Sequence, residues 1–194
     1  SASSMQYQLA WNEEDTFRFY DTPEGRIARI PLKGVMTYNG GLCSYGTAEL
    51  AAMINKVSQD ANYIGAVIVA DSPGGDCESV EVLQNAIATS SKPVVTWVEN
   101  TLASAAIWST APSDKIIASS TRFNSIGSIG GFMIHQNIAG ALEKQGVKVE
   151  IIRAPQSTNK FKPNNLEELD APTRTTLNGY LKETVDLFIG DMQE

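Results

Sequence analysis

The seven residues from Ile64 to Ala70 are apolar without interruption and rich in β-branched side chains. A run this short and uniform lacks the alternation of a half-exposed strand, so it reads as a strand buried on both faces. Such strands belong to sheets covered by helices, and the rest of the chain supplies them. Thr47 stands as a helix N-cap ahead of Leu50, Met53, Ile54 and Val57 at helical spacing. Ser79 to Thr89 carries Val80, Leu83 and Ile87 on one helical face. Further strands are expected over Arg26–Leu32, Val94–Val98, Ile116–Ala118, Ile129–Ile134 and Val147–Ile152. Helices are expected over Ala103–Thr110, Ile138–Gln145 and Thr173–Met192, the last long and amphipathic. Alternation of this kind implies an α/β fold with largely parallel strands.

With 194 residues, 42% of them hydrophobic, the chain is long enough for one sizeable core. The expected organisation is one domain over 26–194 behind an N-terminal arm over 1–25. The arm is polar with scattered aromatics (Tyr7, Trp11, Phe17, Phe19, Tyr20), suited to an edge strand or to packing on a neighbour. Ser1 to Ser4, ahead of Met5, read as a cloning remnant, and the helical pattern at the other end is expected to run on past Glu194. The net charge of −7 argues against a nucleic-acid-binding surface. No stretch approaches the roughly 18 apolar residues of a membrane span, and the start lacks a secretory leader's basic region and apolar core. A soluble, cytoplasmic protein is the expectation. Cys43 and Cys77 have neither metal-ligand spacing nor disulfide-scaffold density, so both read as free thiols, with Cys77 structural.

The chemistry gathers around Ser104, in Asn100-Thr101-Leu102-Ala103-Ser104-Ala105-Ala106-Ile107-Trp108. A serine hydroxyl needs a base to take its proton. Candidates are His135, the one histidine, and a lysine of Ser157-Thr158-Asn159-Lys160-Phe161-Lys162, since desolvation favours a neutral amine. An oxyanion hole needs backbone N–H groups aimed at developing charge. Gly74-Gly75, closing Asp71-Ser72-Pro73-Gly74-Gly75, offers close backbone approach, and the Ala105 amide offers a second donor. Each signal alone is ordinary: a Pro-Gly-Gly turn, a helical serine among alanines, a surface lysine. Their order and spacing point to a hydrolase.

That order resembles the signal peptide peptidase A family of serine peptidases, including the related bacteriophage head-maturation proteases. The resemblance runs from about Arg26 to the last helix. It is closest in Asp71-Ser72-Pro73-Gly74-Gly75, in Ala103-Ser104-Ala105-Ala106-Ile107-Trp108 with Asp114-Lys115-Ile116-Ile117-Ala118, and in Gly127-Ser128-Ile129-Gly130. It implies a ClpP/crotonase-type spiral α/β domain and peptide hydrolysis by a Ser–Lys dyad without metal or organic cofactor. By resemblance Ser104 is the nucleophile, Gly75 and Ala105 give the oxyanion amides, and Ser128 helps hold the lysine. Family members carry Gly-x-aromatic-Lys where this chain has Asn159-Lys160-Phe161-Lys162. The motif itself selects Lys162, whereas the gapless run onward to Leu169-Asp170 selects Lys160, which is preferred because Pro163 also constrains the backbone at Lys162. Ala105-Ala106 stands where many members have Gly-Gly, which suits the phage branch. Ser125-Ile126-Gly127 repeats Ser128-Ile129-Gly130, making Ser125 a rival to Ser128. The family also implies a homo-oligomeric ring acting on protein or peptide substrates, such as scaffold proteins or leftover signal peptides.

Three other readings compete. Met133-Ile134-His135-Gln136 resembles the histidine segment of ClpP proteases, which would give Ser104–His135 with an acid such as Asp170. An acyl-CoA enzyme of the same fold would need carboxylates, with Asp76 or Glu78 as nominees. A catalytically silent assembly subunit would keep the fold alone.

Overall fold

The computed structural model describes residues 9–10, 18–41 and 44–193. Tyr7, Trp11, Phe17 and Cys43 lie outside the described residues. The described residues divide between two compact units, 1–129 with 188–194, and 130–187.

The first unit is built on a seven-stranded sheet. Its strands are β1 (Leu9–Ala10), β2 (Arg18–Thr22), β3 (Gly25–Met36), β4 (Tyr63–Gly75), β5 (Val94–Ala103), β6 (Lys115–Ala118) and β7 (Ser125–Gly127). The first two pairings, β1–β2 and β2–β3, are antiparallel, joined for β2–β3 by a tight turn at Pro23-Glu24. From β3 onward every pairing is parallel, and each crossover from β3 to β6 carries a helix. These are α1 (Thr47–Gln59), α2 (Val80–Ala88) and the short α3 (Ala105–Thr110). β6 and β7 run along the same edge of β5, β6 beside Val95–Val98 and β7 beside Thr101–Ala103. The expected parallel α/β sheet is therefore present.

Alternation along the strands explains where the core lies. Ala28, Ile30 and Leu32 of β3, Ala66, Ile68 and Ala70 of β4, and Val94, Val98 and Leu102 of β5 are buried together. Leu50, Ile54 and Val57 of α1 and Leu83 and Ile87 of α2 join the same cluster. The other face is closed partly by charge. Arg29 and Lys33 on β3 both reach Glu99 on β5, their aliphatic stems crossing the intervening β4.

In the second unit the helices are α4 (Ala139–Lys144) and α5 (Ala171–Asp191), whose last turn counts with the first unit. Asp170 caps α5 by accepting the Thr173 N–H at 2.9 Å. The strands expected over Ile129–Ile134 and Val147–Ile152 are absent. A strand exists only through a ladder to a neighbour, and neither segment has one among the described residues. Phe132, Ile134 and Ile152 are instead more than four-fifths exposed. Among the described residues no helix is long and apolar enough to cross a membrane.

Candidate active site

β5 runs straight toward α3, and the chain turns from one into the other at a single residue. That residue is Ser104, with φ 54° and ψ −129°. Sequence periodicity places Ala103 in the helix; the structure ends β5 there instead, leaving Ser104 alone at the corner. A non-glycine residue in this region costs about 1–3 kcal/mol and persists only where its surroundings over-determine it. Such a turn lifts a serine hydroxyl clear of a sheet, the geometry of the strand-to-helix elbow in α/β-hydrolases.

The surroundings do over-determine it. The Ser104 N–H donates to the Gly127 carbonyl at 2.8 Å, and the Trp108 N–H donates to the Ser104 carbonyl at 3.1 Å. Upstream, Asp71 accepts the Thr101 N–H at 3.2 Å and the Asn100 amide at 3.0 Å. Asn124 donates to the Glu99 and Asn100 carbonyls at 2.9 and 3.2 Å and accepts the Ser120 N–H, which fixes the loop entering β7. Ser104 itself is half-buried, and Ala105 is buried.

Gly74 faces this corner at φ 92°. A Cβ there would stand 2.7 Å from the Ala103 carbonyl oxygen and from the Ser104 Cβ, and 2.8 Å from the Ala105 nitrogen. The missing side chain keeps open the space before the Ala105 amide, which as the first residue of α3 has no carbonyl one turn back to bond. Gly75 is equally constrained, since its Cβ would lie 2.1 Å from the Met36 carbonyl oxygen. Behind both, the fully buried Ser72 hydroxyl donates to the Gly34 carbonyl at 2.6 Å and accepts the Gly74 N–H at 3.2 Å. Gly74→Ala is therefore expected to cost at least about 1–2 kcal/mol from the left-handed backbone alone and, for Ser104 acting as a nucleophile, to slow its acylation by about a hundredfold. Thermal unfolding and acylation rates test this; an alanine variant reacting at the wild-type rate would show that the space before Ala105 is not used.

Gly127 and Ser128, at the end of β7, also have positive φ, 129° and 58°. Ser128 and Ser125 are both exposed, Ser125 lying in the β7 ladder opposite Thr101.

The candidate bases belong to the second unit. Lys160 is exposed, with its N–H on the Ser157 carbonyl at 3.0 Å and its carbonyl receiving Arg153 Nε at 2.6 Å. Among the described residues its ammonium has no acidic partner. Lys162 differs: its ammonium is ion-paired to Asp170, which also caps α5. Hydrogen bonding from Lys162, then from Thr173, holds the Asp170 carboxyl far below the usual carboxylate range. Hydrogen bonds from Arg153 and then Asn164 pull Glu167 from 4.5 to about 2. Depressed carboxylates stabilise the fold above their unfolded values and lose that contribution as pH falls. Both groups are solvent-screened, so the effect is small: unfolding of the 153–170 region should become easier between about pH 4.5 and 2, and Glu167→Gln should remove part of that dependence. Thermal scans across this range would read it.

His135 Nε2 meets the Asn164 carbonyl oxygen at 2.7 Å and so donates to it. The ring lines a cleft with Met133, Ile134, Leu169, Arg174 and Leu177. Asp170, the acid nominated to accompany it, is occupied by Lys162 and the α5 cap. Cys77 is exposed with a free thiol, and no group of three or more potential metal ligands occurs among the described residues.

Reading residues by type nominated Ser104, Gly75 and Ala105, and the structure sets Ser104 and Ala105 at the corner that Gly74 faces. That reading missed the structural duties of Ser72, Gly74, Asn124 and the Gly127 carbonyl. Gly74 was visible as half of the glycine pair; Asn124 and Gly127 act through backbone contacts that no local pattern marks.

Residues 86–194, more than half of the chain, match the model of Peptidase family S49, and the chain belongs to that family. Among relatives, a chain named as a protease in Methanocaldococcus jannaschii is 31% identical over 60% of this chain and 38% of its own length. One named as signal peptide peptidase SppA in Enterococcus faecium is 32% identical over 63% and 37%. The capsid assembly protease C of Escherichia phage lambda is 28% identical over 81% and 34%. The chain thus spans between 34% and 38% of the length of these relatives. Among solved structures, a membrane-bound stomatin-specific protease superposes with a TM-score of 0.48 at 14% identity, covering 85% of this chain and 65% of that one. The α/β class and the resemblance to signal peptide peptidase A and phage proteases thus agree with the family.

Proposed function

We propose that the chain is a serine endopeptidase whose nucleophile is Ser104 and whose base is Lys160. The observation that carries this reading is the strained turn that presents Ser104 between Gly74 and the Ala105 amide. The Lys160 amine takes the Ser104 Oγ proton as the oxygen attacks a peptide carbonyl. The tetrahedral oxyanion is received by the amides of Gly75 and Ala105. Lys160 then protonates the leaving amine, and water repeats the sequence on the acyl-enzyme. The Ser128 hydroxyl holds the lysine amine. Lys160 is favoured over Lys162 because the Lys162 side chain is already engaged by Asp170.

The substrate class is a protein, and the phage relative's name favours a protein of an assembling capsid. A cytoplasmic setting fits that role. The exposed apolar segments around Phe132, Ile134 and Ile152 suit a homo-oligomer in which neighbouring copies supply the missing strand partners. The test is intact-mass analysis of the assembled chain after exposure to a peptidyl fluorophosphonate. One adduct per chain, mapped to Ser104, is expected; an unmodified mass would overturn the peptidase reading.

A further inference from the structure

The helix that begins at the nucleophile is six residues long, too short to hold its own direction. What orients it is therefore tertiary contact. The Ser109 and Thr110 hydroxyls turn back on carbonyls of the same helix, the first at 3.1 Å and the second at 2.8 Å from the Ala106 oxygen. Trp108 reaches outward. Its indole N–H donates to Asp191 Oδ2 at 2.7 Å, and its ring stacks on Phe188 with centroids 4.7 Å apart and planes 6° from parallel. Gln84 of α2 donates to the same Asp191 oxygen at 2.9 Å. The Trp108 backbone N–H is at the same time bonded to the Ser104 carbonyl.

Asp191 is placed against a local rule. It is the last residue of α5, where the helix dipole disfavours negative charge. Such violations persist where another need is met, and here two donors from two other helices converge on one carboxylate oxygen. We propose that Asp191 is a positioning residue for the catalytic serine: it anchors Trp108, and through it fixes the axis of α3 and the strained Ser104 turn at that helix's start. The Phe188 ring supplies the flat support and Asp191 the direction. This rests on Ser104 being the nucleophile.

The test is steady-state hydrolysis of a peptide substrate by the full chain, with fluorophosphonate labelling and thermal unfolding on the same preparations. Asp191→Ala should lower kcat by about tenfold or more while KM stays within about twofold, because misplacement acts on the chemical step. Asp191→Asn keeps an oxygen to accept the indole N–H and should restore most of kcat. Trp108→Phe keeps a ring on Phe188 and removes the N–H, so it should reproduce the Asp191→Ala loss, and it serves if Asp191→Ala does not fold. A kcat near wild type in Asp191→Ala or Trp108→Phe, or equal losses in the Asn and Ala variants, would overturn the positioning role. Wild type that labels normally alongside such a result condemns this inference alone, whereas wild type that does not label removes the peptidase reading and this inference with it.

Discussion

Ser104→Ala should leave no fluorophosphonate adduct and lower peptide hydrolysis by about 10⁴-fold or more, the scale seen when a hydrolase loses its nucleophile. The fold should survive. Ser104 stands at φ 54°, held by the Gly127 carbonyl, the Trp108 amide and the β5–β7 ladder, and none of these uses the hydroxyl. Alanine inherits the strain, but glycine relieves it. Ser104→Gly is therefore expected to be more stable than Ser104→Ala by about 1 kcal/mol or more, although both are inactive. Thermal unfolding of the two variants side by side checks this. Equal stability would mean that the turn is not strained, and with it would go the observation that singles out Ser104.

The second large effect is expected at Lys160. Lys160→Ala should abolish labelling at Ser104, because without a base the hydroxyl is a weak nucleophile. Lys162→Ala should retain labelling to within about tenfold while freeing Asp170 of its ion-pair partner. Asp170 would still cap α5 through the Thr173 N–H, so the helix start should persist. Labelling rates of the two variants separate them. The reverse pattern, activity surviving in Lys160→Ala and lost in Lys162→Ala, would transfer the base to Lys162 and require its bond to Asp170 to open during catalysis. Loss confined to His135→Ala would instead support the ClpP-like pairing.

Most of the first unit was legible residue by residue. The uninterrupted apolar run Ile64–Ala70 lies within β4, flanked by parallel neighbours on both sides. Helical spacing at Leu50, Met53, Ile54 and Val57 found the buried stripe of α1. These readings succeeded because burial imposes its period on the sequence. Ile129–Ile134 and Val147–Ile152 are equally apolar, and the same logic made strands of them. Composition records a preference for burial or pairing, but a ladder needs a partner, and none is present among the described residues.

The site divides in the same way. Residue types alone nominated Ser104, the glycine pair and the two lysines, because a proposed nucleophile, close backbone approach and base each demand particular side chains, or none. Tertiary structure alone decided that Ala103 closes a strand and that Ser104 takes the strained corner. It also decided that Gly74 clears the space before the Ala105 amide and that Lys162 is tied to Asp170. The physical reason is that side-chain chemistry is written one residue at a time, whereas strain, clearance and ion pairing depend on segments distant in sequence. Gly127 meets Ser104 across 23 residues and Asp191 meets Trp108 across 83, and no local pattern carries those contacts.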